Sequence, residues 1–97
     1  MRTLIITGSI IRIDDIRNDY KTIRAAVDGR IETTTLRDNG VMITDAEGME
    51  KGKPYNSLAS LVAGTSIFGV ALIVGTDGEE FTDVPEHYFP LLSCGEV

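Results

Sequence analysis

Between positions 45 and 56 the chain gathers Asp45, Glu47, Glu50, Lys51, Lys53, Tyr55 and Asn56, a mixture of both charges, one aromatic ring and one carboxamide. Ammonium groups beside a helix N-terminus can hold an anion, and a tyrosine can stack on a planar ring. Asn56 is equally suited to capping the helix that follows, and Pro54-Tyr55 to packing the loop before it. Glu47, Lys51, Lys53, Tyr55 and Asn56 are therefore the candidate binding residues, facing either a protein surface or a small anionic ligand.

Other groups fall short of a reaction. The single histidine and single cysteine, His87 and Cys94, supply half of a zinc site, whereas structural zinc takes four nitrogen or sulfur ligands. Asp45-Ala46-Glu47-Gly48 resembles the start of a calcium loop, but its glycine falls at the fourth position and the loop needs it at the sixth. Thr7-Gly8-Ser9 follows an apolar run as a nucleotide loop would, yet Ile10 and Ile11 come next and no lysine stands in register. Gly75-Thr76-Asp77-Gly78 places an acid where a phosphate would sit, so a turn is the expectation. His87 precedes Ser93 and Cys94 with no nucleophile elbow, and Asp14-Asp15 and Glu79-Glu80 are adjacent carboxylates that a strand points to opposite faces. No catalytic residue, metal or cofactor is expected, and the protein is expected not to be an enzyme.

The 97 residues suit one domain, and at that size folding buries roughly 60–65% of the unfolded surface, enough for a core and too little for a deep cavity. Fifteen acidic residues against nine basic ones give a net charge of −6, which repels phosphate backbones and argues against general nucleic-acid binding. A lone cysteine closes no internal disulfide and fits a reducing cytoplasm. The apolar start, Leu4-Ile5-Ile6, is too short for a secretory signal core, and Ile67 to Val74 is too short to span a membrane.

These groups need positioning elements. Leu4-Ile5-Ile6 is apolar, mostly β-branched and uninterrupted, as in a buried strand; Gly8-Ser9 ends or bulges it, and Ile10 to Ile13 extends it or runs as an arm. Tyr20, Ile23 and Val27 share one helical face, so a helix is predicted from about Asp19 to Val27, with Gly29 as its left-handed stop. Ile31 to Arg37 and Val41 to Thr44 flank Asn39-Gly40, which suits a type I′ hairpin. That register pairs Leu36 with Ile43, Thr35 with Thr44 and Thr34 with Asp45, and sets Leu36, Val41 and Ile43 on one core-facing side. Ile31 does not fit it, which points to a bulge or to a sheet buried on both faces. Ala46 to Tyr55 is a long polar loop. Asn56 or Ser57 caps a helix with Leu58, Leu61 and Val62 as its apolar stripe and Gly64 as its end. Ile67 to Val74 is a central strand. Asp83 caps a last helix that Pro90 stops.

Four of these signatures, in order, resemble a known family. Gly29-Arg30-Ile31-Glu32, Glu47-Gly48, Pro54 with Asn56, and Ile73-Val74-Gly75 are similar to the helix-ending glycine and Gly-x-Ile-Glu strand, the acidic turn, the Pro-x-Asn helix start and the Val-Gly strand end of domain of unknown function 3846. Glu80 to Asp83 is similar to its closing segment. The resemblance runs from about Tyr20 to Val84; it departs at Met49 to Lys53, which is more charged than the family's approach to the helix, and beyond Pro85. It implies an origin in bacteriophages or phage-like bacterial elements and brings no active site with it.

The expectation is one α+β domain over residues 1–97, with a mainly antiparallel sheet of about four strands and two or three short helices packed largely on one face. Its expected role is a non-enzymatic accessory protein of the host cytoplasm that binds a host or viral protein. The alternative is a small-molecule or nucleotide-signal sponge using residues 51–56. The Ile10 to Ile13 run, as an edge strand, points to a homodimer.

Overall fold

The computed structural model describes residues 1–95, with side chains from Met1 to Ser93. Six strands form one sheet: β1 (Arg2–Thr7), β2 (Ile10–Asp15), β3 (Ile31–Thr35), β4 (Gly40–Asp45), β5 (Ala71–Asp77) and β6 (Glu80–Thr82). Two α-helices, α1 (Tyr20–Val27) and α2 (Ser57–Ala63), and a terminal 3-10 helix (Glu86–Gly95) complete the fold. The strand order is β2-β1-β5-β4-β3, and every pairing is antiparallel. Gly75 pairs with Gly40 on one side and Thr82 on the other, so β6 lies end to end with β1 along the same edge of β5. No helix among the described residues is long and apolar enough to cross a membrane.

β5 is the central strand, and its composition says why. Ala71, Leu72, Ile73 and Val74 are all fully buried, so both faces of the sheet carry core. Ile73 joins Leu4, Ile6, Met42, Ala59, Ile67, Val84 and Tyr88 on one face, under α2 and the 3-10 helix. Leu72 and Val74 join Ile5, Val41, Ile43, Ile23 and Val27 on the other, under α1. Each such large side chain contributes roughly 1.5–3 kcal/mol. The expected sheet of about four strands is thus corrected to six; of the helices expected largely on one face, α2 and the 3-10 helix share one side and α1 covers the other. An uninterrupted apolar run is the mark of a strand covered on both sides.

The β1–β2 turn is Gly8-Ser9, with Gly8 at φ 59°, the sign a type II′ turn needs at its first central residue. Ile10 to Ile13 is therefore a hairpin strand at the sheet edge. In the β3–β4 hairpin, Asp38 and Asn39 hold the positive φ values, 55° and 61°, that had been assigned to Asn39 and Gly40. Gly40 N–H donates to the Arg37 carbonyl at 3.0 Å and Leu36 N–H to the Gly40 carbonyl at 2.9 Å, so Leu36 and Arg37 both oppose Gly40 in a bulge. The ladder consequently pairs Thr35 with Val41, Thr34 with Met42 and Ile31 with Asp45. This odd-numbered slip sends Leu36 to the α2 face while Val41 and Ile43 stay on the α1 face.

α1 begins where expected: the Asp19 carboxylate accepts the Thr22 N–H at 2.7 Å. Its left-handed terminator is Asp28, at φ 55°, and not Gly29; Tyr20 is exposed, leaving Ile23 and Val27 as the buried stripe. α2 is capped by Asn56 and closed by Gly64, but Leu61 is 79% exposed, and Leu58 and Val62 pack with Ala59 instead. β5 starts at Ala71; before it, Ile67 to Gly69 bonds to residues 54–56. Asp83 does not cap the last helix: its carboxylate accepts the Arg2 N–H at 2.7 Å, where β6 meets the start of β1. Pro90 does not stop that helix, which continues as 3-10 turns and loses one bond at most to the missing N–H.

Candidate functional site

Asp45 ends β4 with its side chain 1% exposed, aimed at the C-terminus of α1. Its Oδ2 receives Lys53 Nζ at 2.8 Å and Lys51 Nζ at 2.9 Å, and its Oδ1 accepts the Glu47 N–H at 3.0 Å. The two ammoniums also donate to the last carbonyls of α1. Lys53 reaches Val27 O at 3.0 Å and Asp28 O at 2.7 Å, and Lys51 reaches Asp28 O at 3.3 Å. Cations suit a helix C-terminus, where carbonyls lack partners. Gly29 permits the approach: a Cβ there would lie 2.2 Å from the Asp45 Cγ. Burial pushes the Asp45 carboxyl up, but hydrogen bonds from Lys53, the Glu47 N–H and Lys51 outweigh it and hold the group well below the usual carboxylate range. The same Asp45 bond raises Lys51.

The chemistry open to this cluster is narrow. A carboxylate held ionised between two ammoniums is a poor base, and an ammonium stabilised by it is no nucleophile. Its effect is mechanical. Lys51 and Lys53 pin the 46–55 loop to α1, and the loop bonds itself through Gly48 N–H to Asp45 O at 3.1 Å and Lys53 N–H to Gly48 O at 3.0 Å.

Asn56 is buried and does three things at once. Its Oδ1 accepts the Ala59 N–H at 3.1 Å, and its Nδ2 donates to Ile6 O at 3.0 Å and Gly69 O at 2.9 Å. Behind it, Ser60 Oγ donates to Asn56 O and accepts the Ile67 N–H, both at 2.7 Å. Among the described residues every buried side-chain polar atom has a partner.

Of the five sequence candidates, Lys53 and Asn56 thus turn inward, Lys51 reaches back to Asp45 while staying 42% exposed, and Glu47 is half-buried and offers its N–H to Asp45. Tyr55 alone projects, 55% exposed, its ring edge-on to Phe68 at 5.4 Å between centroids. Met49, 66% exposed, stands on the same loop. The Tyr55–Phe68 pair separates two hollows of about 200 Å³ each. Thr7, Gly8, Lys53, Tyr55, Asn56 and Val70 are among the residues that line one, and Glu32, Asp45, Met49, Ser66 and Phe68 among those that line the other. Sequence reasoning missed Met49 and Phe68, and it placed Asp45 in the loop without seeing it as the hub. The available signal was an Asp ending an apolar strand with lysines six and eight positions on.

His87 sits elsewhere, over the α2 face. Its Nε2 is 3.2 Å from Asp38 Oδ2 and its ring lies edge-on to Tyr88, whose hydroxyl donates to the Arg37 carbonyl. Leu36, Val62, Tyr88 and Leu91 line a hollow of about 280 Å³ beside it. Burial, with the Asp38 charge, pushes the Tyr88 phenol up. The side chain of Cys94 lies outside the described residues. Among those residues no three His, Cys, Asp or Glu side chains come together as a metal-binding set.

Comparison with curated proteins and with solved structures returns no match. The family model described as "Domain of unknown function (DUF3846)" matches residues 1–92, extending the motif-based resemblance over the β1–β2 hairpin and most of the 3-10 helix. The chain belongs to that family.

Proposed function

We propose that this protein is a non-enzymatic binding module, phage-like in setting and acting in the host cytoplasm, whose 46–56 segment docks a host or viral protein. The observation that carries the reading is the exposed Met49 and Tyr55, with Phe68 behind them, on a loop clamped from below by Lys51, Lys53 and Asn56. Exposed aromatic and methionine side chains on a rigid mount favour association, because little conformational freedom is lost on binding. The Lys51 and Lys53 ammoniums that a small anionic ligand would need are engaged with Asp45 and the α1 carbonyls, and the two hollows beside Tyr55 and Phe68 are below the usual ligand-site volume, although the open hollow of about 370 Å³ lined by Lys21, Arg24 and Lys51 is not. Those facts favour a protein partner over a nucleotide-signal sponge.

The test is affinity capture from a matching bacterial host, infected and uninfected, with wild type beside a Met49→Asp/Tyr55→Ser variant. The expected result is one protein enriched by wild type and reduced about tenfold or more with the variant, equivalent to roughly 1.4 kcal/mol. Recovery at background, or equal recovery by both, overturns the reading. A thermal-shift panel of nucleotides is expected to leave the melting temperature unchanged.

A further inference from the structure

We infer that β2 is a homodimerisation strand: two copies pair their β2 edges antiparallel about a two-fold axis through Ile13, joining two sheets into one. The argument starts from hydrogen-bond parity. The Met1 ammonium donates to Ile16 O at 2.8 Å and Ile16 N–H donates to Met1 O at 2.9 Å, so this pair exchanges both bonds. Exchanging pairs alternate along an antiparallel ladder, which makes Thr3 with Asp14, Ile5 with Arg12 and Thr7 with Ile10 the others. The N–H and C=O groups of Ile11, Ile13 and Asp15 therefore point away from β1. Among the described residues β2 pairs only with β1. The Asp15 N–H is met by the neighbouring Asp14 carboxylate alone, at 2.8 Å.

A second copy can engage these outward groups only if the axis passes through a residue, since an axis between residues sets outward groups against inward ones. An axis through Arg12 brings two guanidiniums together, and one through Asp14 brings two carboxylates together. An axis through Ile13 sets Arg12 opposite the second copy's Asp14, twice by symmetry, and Ile13 opposite itself. It also sets Ile10, 64% exposed, opposite the second copy's Ile16, on the same α1-side face. Within each copy Arg12 Nη1 and Asp14 Oδ2 already pair at 2.7 Å, both about half exposed, so the dimer exchanges two internal ion pairs for two across the axis and the charges choose the register more than they add affinity. The opposite edge, β3, carries Glu32 as its one charge and offers no such complement. Pairing β2 with β2 consumes the edge in both copies, so the assembly closes at two.

The experiment is light scattering on the full chain over a concentration series. Wild type is expected to reach twice its 10.5 kDa mass. Arg12→Asp and Asp14→Arg, each alone, are expected to raise the dimer dissociation constant by about tenfold or more. An equimolar mixture of the two restores the dimer as a heterodimer, because each swapped charge then faces its opposite. A monomer at every concentration overturns the inference, as does a dimer indifferent to both swaps or a mixture that fails to re-associate. Should either variant unfold, hydrogen exchange of wild type decides: the Ile11 and Ile13 amides gain protection as concentration rises, and exchange independent of concentration is the overturning result.

Discussion

The two faces of the sheet are locked by different chemistry. On the α1 side the lock is ionic: one buried carboxylate, two lysines and the free carbonyls of a helix end. On the α2 side it is neutral: Asn56 and Ser60 join β1, the segment before β5 and the helix N-terminus. Both solve the same problem, a short helix that must be fixed to a sheet through irregular backbone. The ionic lock lies where lysine stems can still reach water, Lys51 being 42% exposed and Lys53 17%. The neutral lock lies where nothing can, and a fully satisfied carboxamide avoids the cost of a dry charge. Solvent access, more than bond count, separates the two.

Three substitutions break or sharpen that contrast. Asn56→Ala is expected to have the largest effect, about 4 kcal/mol. It removes a helix cap worth about 1 and leaves the Gly69 carbonyl dry at about 1–3, while the Ile6 carbonyl, which also faces Ala71 in the ladder, loses its second donor. Urea denaturation measures it, and a loss under about 1 kcal/mol would show that water enters the site. Asp45→Ala should cost about 3 kcal/mol at neutral pH, the low end for breaking a buried pair, because the stranded lysines can turn outward.

The pH dependence distinguishes these two variants. Asp45 has a folded-state value held below its unfolded one, so its contribution is fully present above about pH 4 and is lost as pH falls from there through the folded value. The gap between wild type and Asp45→Ala should therefore narrow in acid while the Asn56→Ala gap holds. Parallel gaps would deny the ionic character of the first lock. Gly29→Ala should be smallest, about 2 kcal/mol, because the new methyl displaces a carboxylate held by three donors. A neutral result there would mean that Asp45 can retreat without losing its partners.

The elements were legible where periodicity and caps agree. Asp19 before Ile23 and Val27, Asn56 before α2 with Gly64 after it, and the apolar run into β5 all announced their structures. The layering was not legible, because Leu72 and Ile73 look alike in a list yet face opposite helices. The β3–β4 register was lost to one bulge: Asp38 and Asn39 both accept positive φ, so the turn could start a residue earlier than Asn39-Gly40 indicates. In the candidate site, Lys51 and Lys53 looked free because their partner, Asp45, is made inaccessible only by the fold that brings α1 against it. Tyr55 could be named from sequence, but Phe68, its neighbour across an irregular bridge, could not.

The order in which the chain is made has a consequence for β5. It is the fifth strand to leave the ribosome, yet it lies between the first and the fourth. Until it arrives, the β1–β2 and β3–β4 hairpins each wait with Leu4, Ile6, Met42 and Ile43 uncovered and one ladder unmet. Sheet closure is therefore a late, long-range event, and the nascent protein passes through a sticky half-built stage in which chaperones, or a premature encounter between hairpins of different chains, decide its yield.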